Sequence, residues 1–286
     1  MEYAIYILII LLMVTQSATT KQYNRNYTNS VVFNALKALS AFLLFGLISL
    51  PGFTFHLPTV IYGACYGLSL SISMYVGYRA LGLGPMALTS MLGSFSVLIP
   101  MVWGIAVMGE QPSPLQYVAL VLLLSAILLV NADKFKPAKT DQKTNYGLWI
   151  LFVAATFICN GACSVLQKEY QNASKESYSR EFMFFAMLVC TLIYVTVALI
   201  KLPRGEFKRA QGKKYGIVSG VTTALPNFLT LVLAGFENAT ILFPIISAGT
   251  IFGSLLCGRF IFKEKLKLNH YIALVVGVTA VVLLKL

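Results

Sequence analysis

Ser69 and Ser73 stand four residues apart, as do Thr223 and Asn227, and Asn160, Ser164 and Gln167 follow an i, i+4, i+7 path. In a helix each of these sets shares one face. Hydroxyls and amides there bind a polar solute better than they break a bond. A buried amide without a partner costs roughly 1–3 kcal/mol, so each set must face water, a ligand or another helix. Two readings are open: a cavity wall, or interhelical hydrogen bonds worth about 0.6–2 kcal/mol each. Gln16, between Thr15 and Thr19, belongs with these groups. Lys37 is the one basic residue well inside an apolar run. It could anchor an anionic solute, carry a coupling proton, or simply reach the headgroups. Tyr75, with Tyr62, Tyr66, Trp103 and Phe228, could line a pocket for aromatic or quaternary-ammonium ligands. Glu110 and Glu264 follow apolar runs, where a gating or structural tie to basic residues or helix N-termini fits them.

Other chemistry lacks its residues. There is no nucleotide-binding loop, zinc signature or Ser-His-Asp set, and no Asp or Glu lies deep in an apolar run. The expectation is therefore no enzyme, metal or cofactor, with any active transport driven by a coupling proton or a counter-substrate. Cys65, Cys159, Cys163, Cys190 and Cys257 all fall in apolar runs, which suits packing better than a disulfide framework.

The elements that position these residues follow from composition. Of 286 residues, 58% are hydrophobic and 11% charged, with mean hydropathy +0.77; this excludes a water-soluble enzyme. About 20 apolar residues span a bilayer as a helix. Ten such runs occur: Tyr3–Thr20, Ser30–Leu50, Pro58–Ala80, Pro85–Met108, Pro114–Asn131, Tyr146–Leu166, Phe182–Ile200, Tyr215–Ala234, Ala239–Phe262 and Leu268–Leu284. They are long and do not alternate, so helices rather than barrel strands are expected. Pro226 inside the eighth run lacks an N–H and frees a carbonyl of the previous turn, which could open a local break for a ligand, and Gly63/Gly67, Gly216/Gly220 and Gly249/Gly253 allow close helix approach.

The net charge of +12 would suggest nucleic acid in a polar chain. Here it is a topology signal, with no nucleic-acid partner expected. Loops after the odd-numbered runs hold 17 Lys and Arg and the other side holds 4. The positive-inside rule places the 17 in the cytoplasm, leaving both termini extracytoplasmic, in the cell membrane.

The two halves correspond. A shift of 154 lays Glu110 on Glu264, Gly104 on Gly258, Ala126 on Ala280 and the helix around Tyr117 on that around Tyr271; a shift of 147 lays Tyr23 on Tyr170. The organisation expected is a first repeat over 1–132, a basic cytoplasmic linker over 133–145 and a second repeat over 146–286. Five runs per half, an odd number, inverts the second relative to the first. Loops after runs 2 and 4 hold no Lys or Arg, whereas those after runs 7 and 9 hold ten. The fold class expected is an all-α integral membrane protein of ten transmembrane helices in two inverted five-helix repeats, a pattern common in secondary transporters.

Tyr78-Arg79-Ala80-Leu81, then Gly84-Pro85-Met86-Ala87-Leu88-Thr89-Ser90, Pro100, Gly109-Glu110 and the Tyr117 helix resemble the EamA repeat of the drug/metabolite transporter superfamily. The second half is similar but more divergent, with Phe262-Lys263-Glu264 where that family usually has Gly-Glu. The resemblance covers nearly the whole chain. It implies a ten-helix carrier with a central cavity, moving a small polar or amphipathic metabolite by alternating access. Gln16, Lys37, Ser69, Ser73, Tyr75, Asn160, Ser164, Gln167, Thr223 and Asn227 are the expected binding residues. The rival readings are a membrane-embedded lipid-processing enzyme and an assembly or sensor subunit.

Overall fold

The computed structural model describes residues 2–27, 29–83, 89, 92–131, 146–174, 178–201, 211–263 and 267–285. The protein is 88% helix, with ten helices and no strand among the described residues. They are α1 (Glu2–Asn26), α2 (Ser30–Ser49), α3 (Leu57–Leu83), α4 (Leu92–Ala106), α5 (Pro114–Asn131), α6 (Tyr146–Ala173), α7 (Ser179–Lys201), α8 (Lys213–Leu233), α9 (Ala239–Phe260) and α10 (Leu268–Leu284).

Helices form here because apolar runs satisfy backbone polar groups within one segment. They end at punctuating residues. The Asn29 side chain accepts the Val32 N–H at 3.2 Å and caps α2, and Pro114 opens α5. Left-handed backbone at Gly109 (φ 71°), Gly212 (φ 73°) and Lys263 (φ 54°) marks the turns after α4, before α8 and after α9. Pro226 lies buried inside α8, which runs on to Leu233.

Seven helices (α1, α2, α3, α6, α7, α8 and α9) are long and apolar enough to cross a membrane, which makes this an integral membrane protein by length and composition. The other three are shorter. At 1.5 Å per residue α5 and α10, of 18 and 17 residues, reach about 25–27 Å, just under the hydrocarbon thickness of about 30 Å. The residues expected to begin α4 lie largely outside the described ones.

The chain forms two compact units: Met1–Ser71 with Leu166–Gly235, and Ile72–Val165 with Phe236–Leu286. Each draws on both halves of the sequence, and α3 and α6 each contribute to both. In the first unit α2 packs on α7 and α8, and α1 on α8. Phe42 meets Phe184 at 5.3 Å, while Lys37 lies within electrostatic reach of Cys190, so α2 and α7 run antiparallel. In the second unit α5 packs on α10 around buried Ala119, Ala126, Ala273 and Ala280. The Gln116 side chain donates to the Leu284 carbonyl (3.2 Å) and that of Asn269 to Leu129 (3.0 Å). Each helix thus binds the far end of an antiparallel partner.

Candidate functional site

In the first unit the polar residues of α3, α6 and α8 converge on Asn227. Tyr66 donates its phenolic O–H to Asn227 Oδ1 at 2.7 Å, and Gln167 Nε2 donates to the Asn227 carbonyl at 3.0 Å. Asn227 Nδ2 donates to the Thr223 carbonyl at 2.7 Å, and Thr223 Oγ1 to the Ser219 carbonyl at 2.6 Å. Tyr66, Gln167 and Thr223 are all buried. The sequence pointed to Tyr66 only as an aromatic; its hydroxyl is what orients the amide.

Three more residues of this unit form a buried knot. Ser71 Oγ donates to the Gly67 carbonyl (2.8 Å) and to Cys190 Sγ (3.3 Å); the Cys190 thiol donates to Gly67 (3.3 Å), and Tyr194 Oη to the Ser71 carbonyl (3.2 Å). None of these was singled out from sequence as a hydrogen-bonding group. Lys37 lies beside Cys190, 7% exposed, and among the described residues its ammonium makes no hydrogen bond or ion pair. Buried Lys168 behaves differently: its Nζ donates to the Ala234 carbonyl at the end of α8, 3.0 Å away.

Glycine makes the close contacts of this unit possible. A Cβ on Gly63 would stand 2.7 Å from the Phe182 carbonyl, and one on Gly67 would overlap the Ala186 carbonyl. Likewise a Cβ on Gly216 would stand 3.3 Å from the Phe33 carbonyl, and one on Gly220 would overlap that of Lys37. Tyr23 stacks on Phe33 with centroids 4.4 Å apart, and Tyr170 packs on Phe182 at 4.8 Å. Tyr170 Oη also bonds Thr59 Oγ1 at 3.0 Å.

In the second unit Ser73 Oγ donates to Asn160 Oδ1 at 2.6 Å, joining α3 to α6. The expected polar stripe on α6 therefore divides: Asn160 and Ser164 belong to this unit and Gln167 to the other. Ser69 and Ser73 divide in the same way. Ser69, Ser164 and Gln16 are partly exposed. Tyr75 is 43% exposed, with the Arg79 guanidinium 5.8 Å from its ring centroid. The aromatics expected as one lining are distributed over both units: Tyr62, Tyr66 and Phe228 in the first, Tyr75 and Trp103 in the second. Ile99, Trp103 and Phe157 help line an open apolar groove of about 350 Å³.

Glu110 sits at the N-terminus of α9. Its carboxylate accepts the backbone N–H of Ala239 (2.6 Å) and of Thr240 (2.9 Å) and the Thr240 hydroxyl (2.8 Å). Charge-assisted bonds to orphan helix donors satisfy both the carboxylate and the helix end. Gly104 leaves the room, since a Cβ there would stand 2.6 Å from Glu110 Oε2. Glu264, its sequence counterpart, lies outside the described residues, as do most of Gly84–Ser90 and the whole 133–145 linker. All five cysteines are free thiols. Among the described residues no three His, Cys, Asp or Glu side chains gather as a metal site.

No family model matches this chain, and no curated protein matches it. Twenty-nine chains of solved structures do. One of them, described only as a crystal structure of a protein, superposes with a TM-score of 0.79 over 98% of this chain and 94% of its own, at 15% identity. At that identity the likeness is one of fold alone.

Proposed function

We propose that the protein is a secondary transporter with ten membrane-spanning helices in two inverted five-helix repeats, moving a small polar or amphipathic metabolite by alternating access between the halves. The observation that carries this reading is the reciprocity of contacts between equivalent residues. Gly63 and Gly67 of α3 approach Phe182 and Ala186; 153 residues later Gly216 and Gly220 of α8 approach Phe33 and Lys37, which precede that pair by 149. The Tyr23–Phe33 and Tyr170–Phe182 ring pairs match in the same way.

The second unit supports the reading at a shift of 154. Trp103 O accepts the N–H groups of Val107 and Met108, and Cys257 O those of Ile261 and Phe262. Gly109 and Lys263 take up left-handed backbone at matching places. Gln116 Oε1 accepts the Ser113 N–H, and His270 Nδ1 that of Lys267. The equivalent helices α2 and α7 run antiparallel, as do α5 and α10, which is what inversion of one half requires. Inverted repeats of this kind let one half rock against the other around a fixed site. Polar groups sparsely placed in apolar helices supply neutral contacts along such a path.

Basic residues support an orientation with both termini outside the cytoplasm. With no nucleotide-binding loop, the driving force in this reading is a coupling proton or a counter-substrate. The test is reconstitution of the purified protein into liposomes exposed to an isotope-labelled metabolite extract, with the lumen analysed by mass spectrometry. One or a few species should accumulate above empty liposomes, and Ser73→Leu and Asn227→Leu, still monodisperse, should lose them. No accumulation in either direction contradicts transport.

A further inference from the structure

Lys37 is the residue that the packing does not explain. A lysine ammonium placed in the apolar part of a membrane is costly and pairs with something. Here it is 7% exposed and, among the described residues, makes no hydrogen bond or ion pair. Among the described residues no carboxylate pairs with it. The Ser71, Cys190 and Tyr194 donors are all turned into backbone carbonyls or into one another. Glu181 on α7 is nine residues from Cys190, about 14 Å along the helix at 1.5 Å per residue. Thr191, next to Cys190, and Ser219, next to Gly220, carry buried hydroxyls with no partner.

The other half supplies an internal control. The position that meets Gly220 through its carbonyl is Lys37, and the position that meets Gly67 through its carbonyl is Ala186. The contact uses backbone only, and an alanine fulfils it. So the fold does not need a lysine at this place, and among the described residues no counter-charge is paired with it.

We propose that Lys37 anchors the carboxylate of a monoanionic organic acid, which makes such acids the substrate class; this rests on the transport reading above. A single unpaired ammonium matches one negative charge and leaves a phosphate dianion half compensated. An amino acid would bring an ammonium of its own, and the neutral Ser71–Cys190–Tyr194 knot carries no negative charge to receive it.

The test is thermal unfolding of the full-length protein in detergent micelles at matched ionic strength. Sodium acetate, lactate and benzoate are compared with sodium chloride, sodium phosphate, glycine and choline chloride. A ligand that binds only the folded state raises the melting temperature. At least one monocarboxylate should raise it by several degrees in the native chain and in Lys37→Arg. Lys37→Met should lose that shift while melting, without ligand, no lower than the native chain. The proposal is overturned if no monocarboxylate shifts the native chain, if the shift survives in Lys37→Met, or if phosphate, glycine or choline shifts it as much. Uptake of the same radiolabelled acid into liposomes separates the two claims. A Lys37-dependent shift without uptake keeps the anion site and removes transport. Uptake of a neutral or cationic metabolite unaffected by Lys37→Met keeps transport and removes the anchor.

Discussion

The glycine pair of α3 and the glycine pair of α8 make the same kind of contact with different neighbours. Gly67 lies against the carbonyl of an alanine, Gly220 against the carbonyl of a lysine. The turns after α4 and α9 offer a second comparison: each needs a left-handed residue, and one has Gly109 where the other has Lys263. In both comparisons the backbone geometry is shared and the side chain is not. Shared geometry is what the fold demands, so the unshared residue is either tolerated at a cost or kept for another purpose. Lys263 is exposed and fits the first description; Lys37 is buried and fits the second.

The largest effects should come from breaking the shared part. Gly67→Ala and Gly220→Ala each drive a Cβ into a carbonyl on the facing helix, and overpacking of that kind costs about 1–3 kcal/mol. The two losses should be similar, read as the fall in melting temperature of the purified protein. Gly216→Ala, whose Cβ would meet Leu36 Cβ at 2.9 Å and the Phe33 carbonyl at 3.3 Å, and Gly63→Ala, whose Cβ would stand 2.7 Å from the Phe182 carbonyl, should each lose less than these two. A seam that tolerates all four substitutions would end the comparison.

Next in size is the Glu110 clamp. Glu110→Ala removes the acceptor of two backbone N–H groups and a hydroxyl at the start of α9, an expected loss of about 1–3 kcal/mol. Glu110→Gln should recover part of it, since an amide oxygen still accepts. Equal losses for the two would show that charge, not hydrogen bonding, holds the helix end. The smallest effect has the opposite sign. Lys263→Gly relieves a left-handed conformation that costs an L-residue about 1–2 kcal/mol, less the chain entropy that glycine adds, so the melting temperature should rise slightly. Gly109→Lys should lower it.

The helix positions were legible in the sequence because hydropathy reports them directly, yet their ends were not. The first run was expected to stop at Thr20 and the sixth at Leu166, whereas α1 continues to Asn26 and α6 to Ala173. Hydropathy marks what prefers lipid, and helix continues past it wherever polar residues find partners, as Lys168 does on Ala234 and Gln171 on Ser179. The polar residues Ser73, Asn160, Gln167 and Asn227 were visible as spacings on single helices. That Gln167 meets Asn227 and Asn160 meets Ser73 was not, because spacing constrains a face and not its neighbour. In the Ser71–Cys190–Tyr194 knot, Cys190 and Tyr194 stand four apart on α7, but nothing in that spacing tied them to Ser71, more than a hundred residues away on α3. The shift of 154 was legible from a few letters, and the contacts give it physical content: Trp103 and Cys257 share almost nothing as side chains but accept the same two backbone donors.

If the second half repeats the first upside down, equivalent turns lie on opposite sides of the membrane. Gln111→Cys, in the turn after α4, and Lys263→Cys, in the turn after α9, place exposed thiols at near-equivalent positions. A membrane-impermeant thiol reagent applied to intact cells, with the unsubstituted chain as the baseline for the native cysteines, reads the side directly. With inverted halves and both termini outside, Gln111→Cys is labelled from outside and Lys263→Cys only after permeabilisation; the reverse pattern would keep the inversion and flip the termini, while labelling of both from the same side would rule the inversion out.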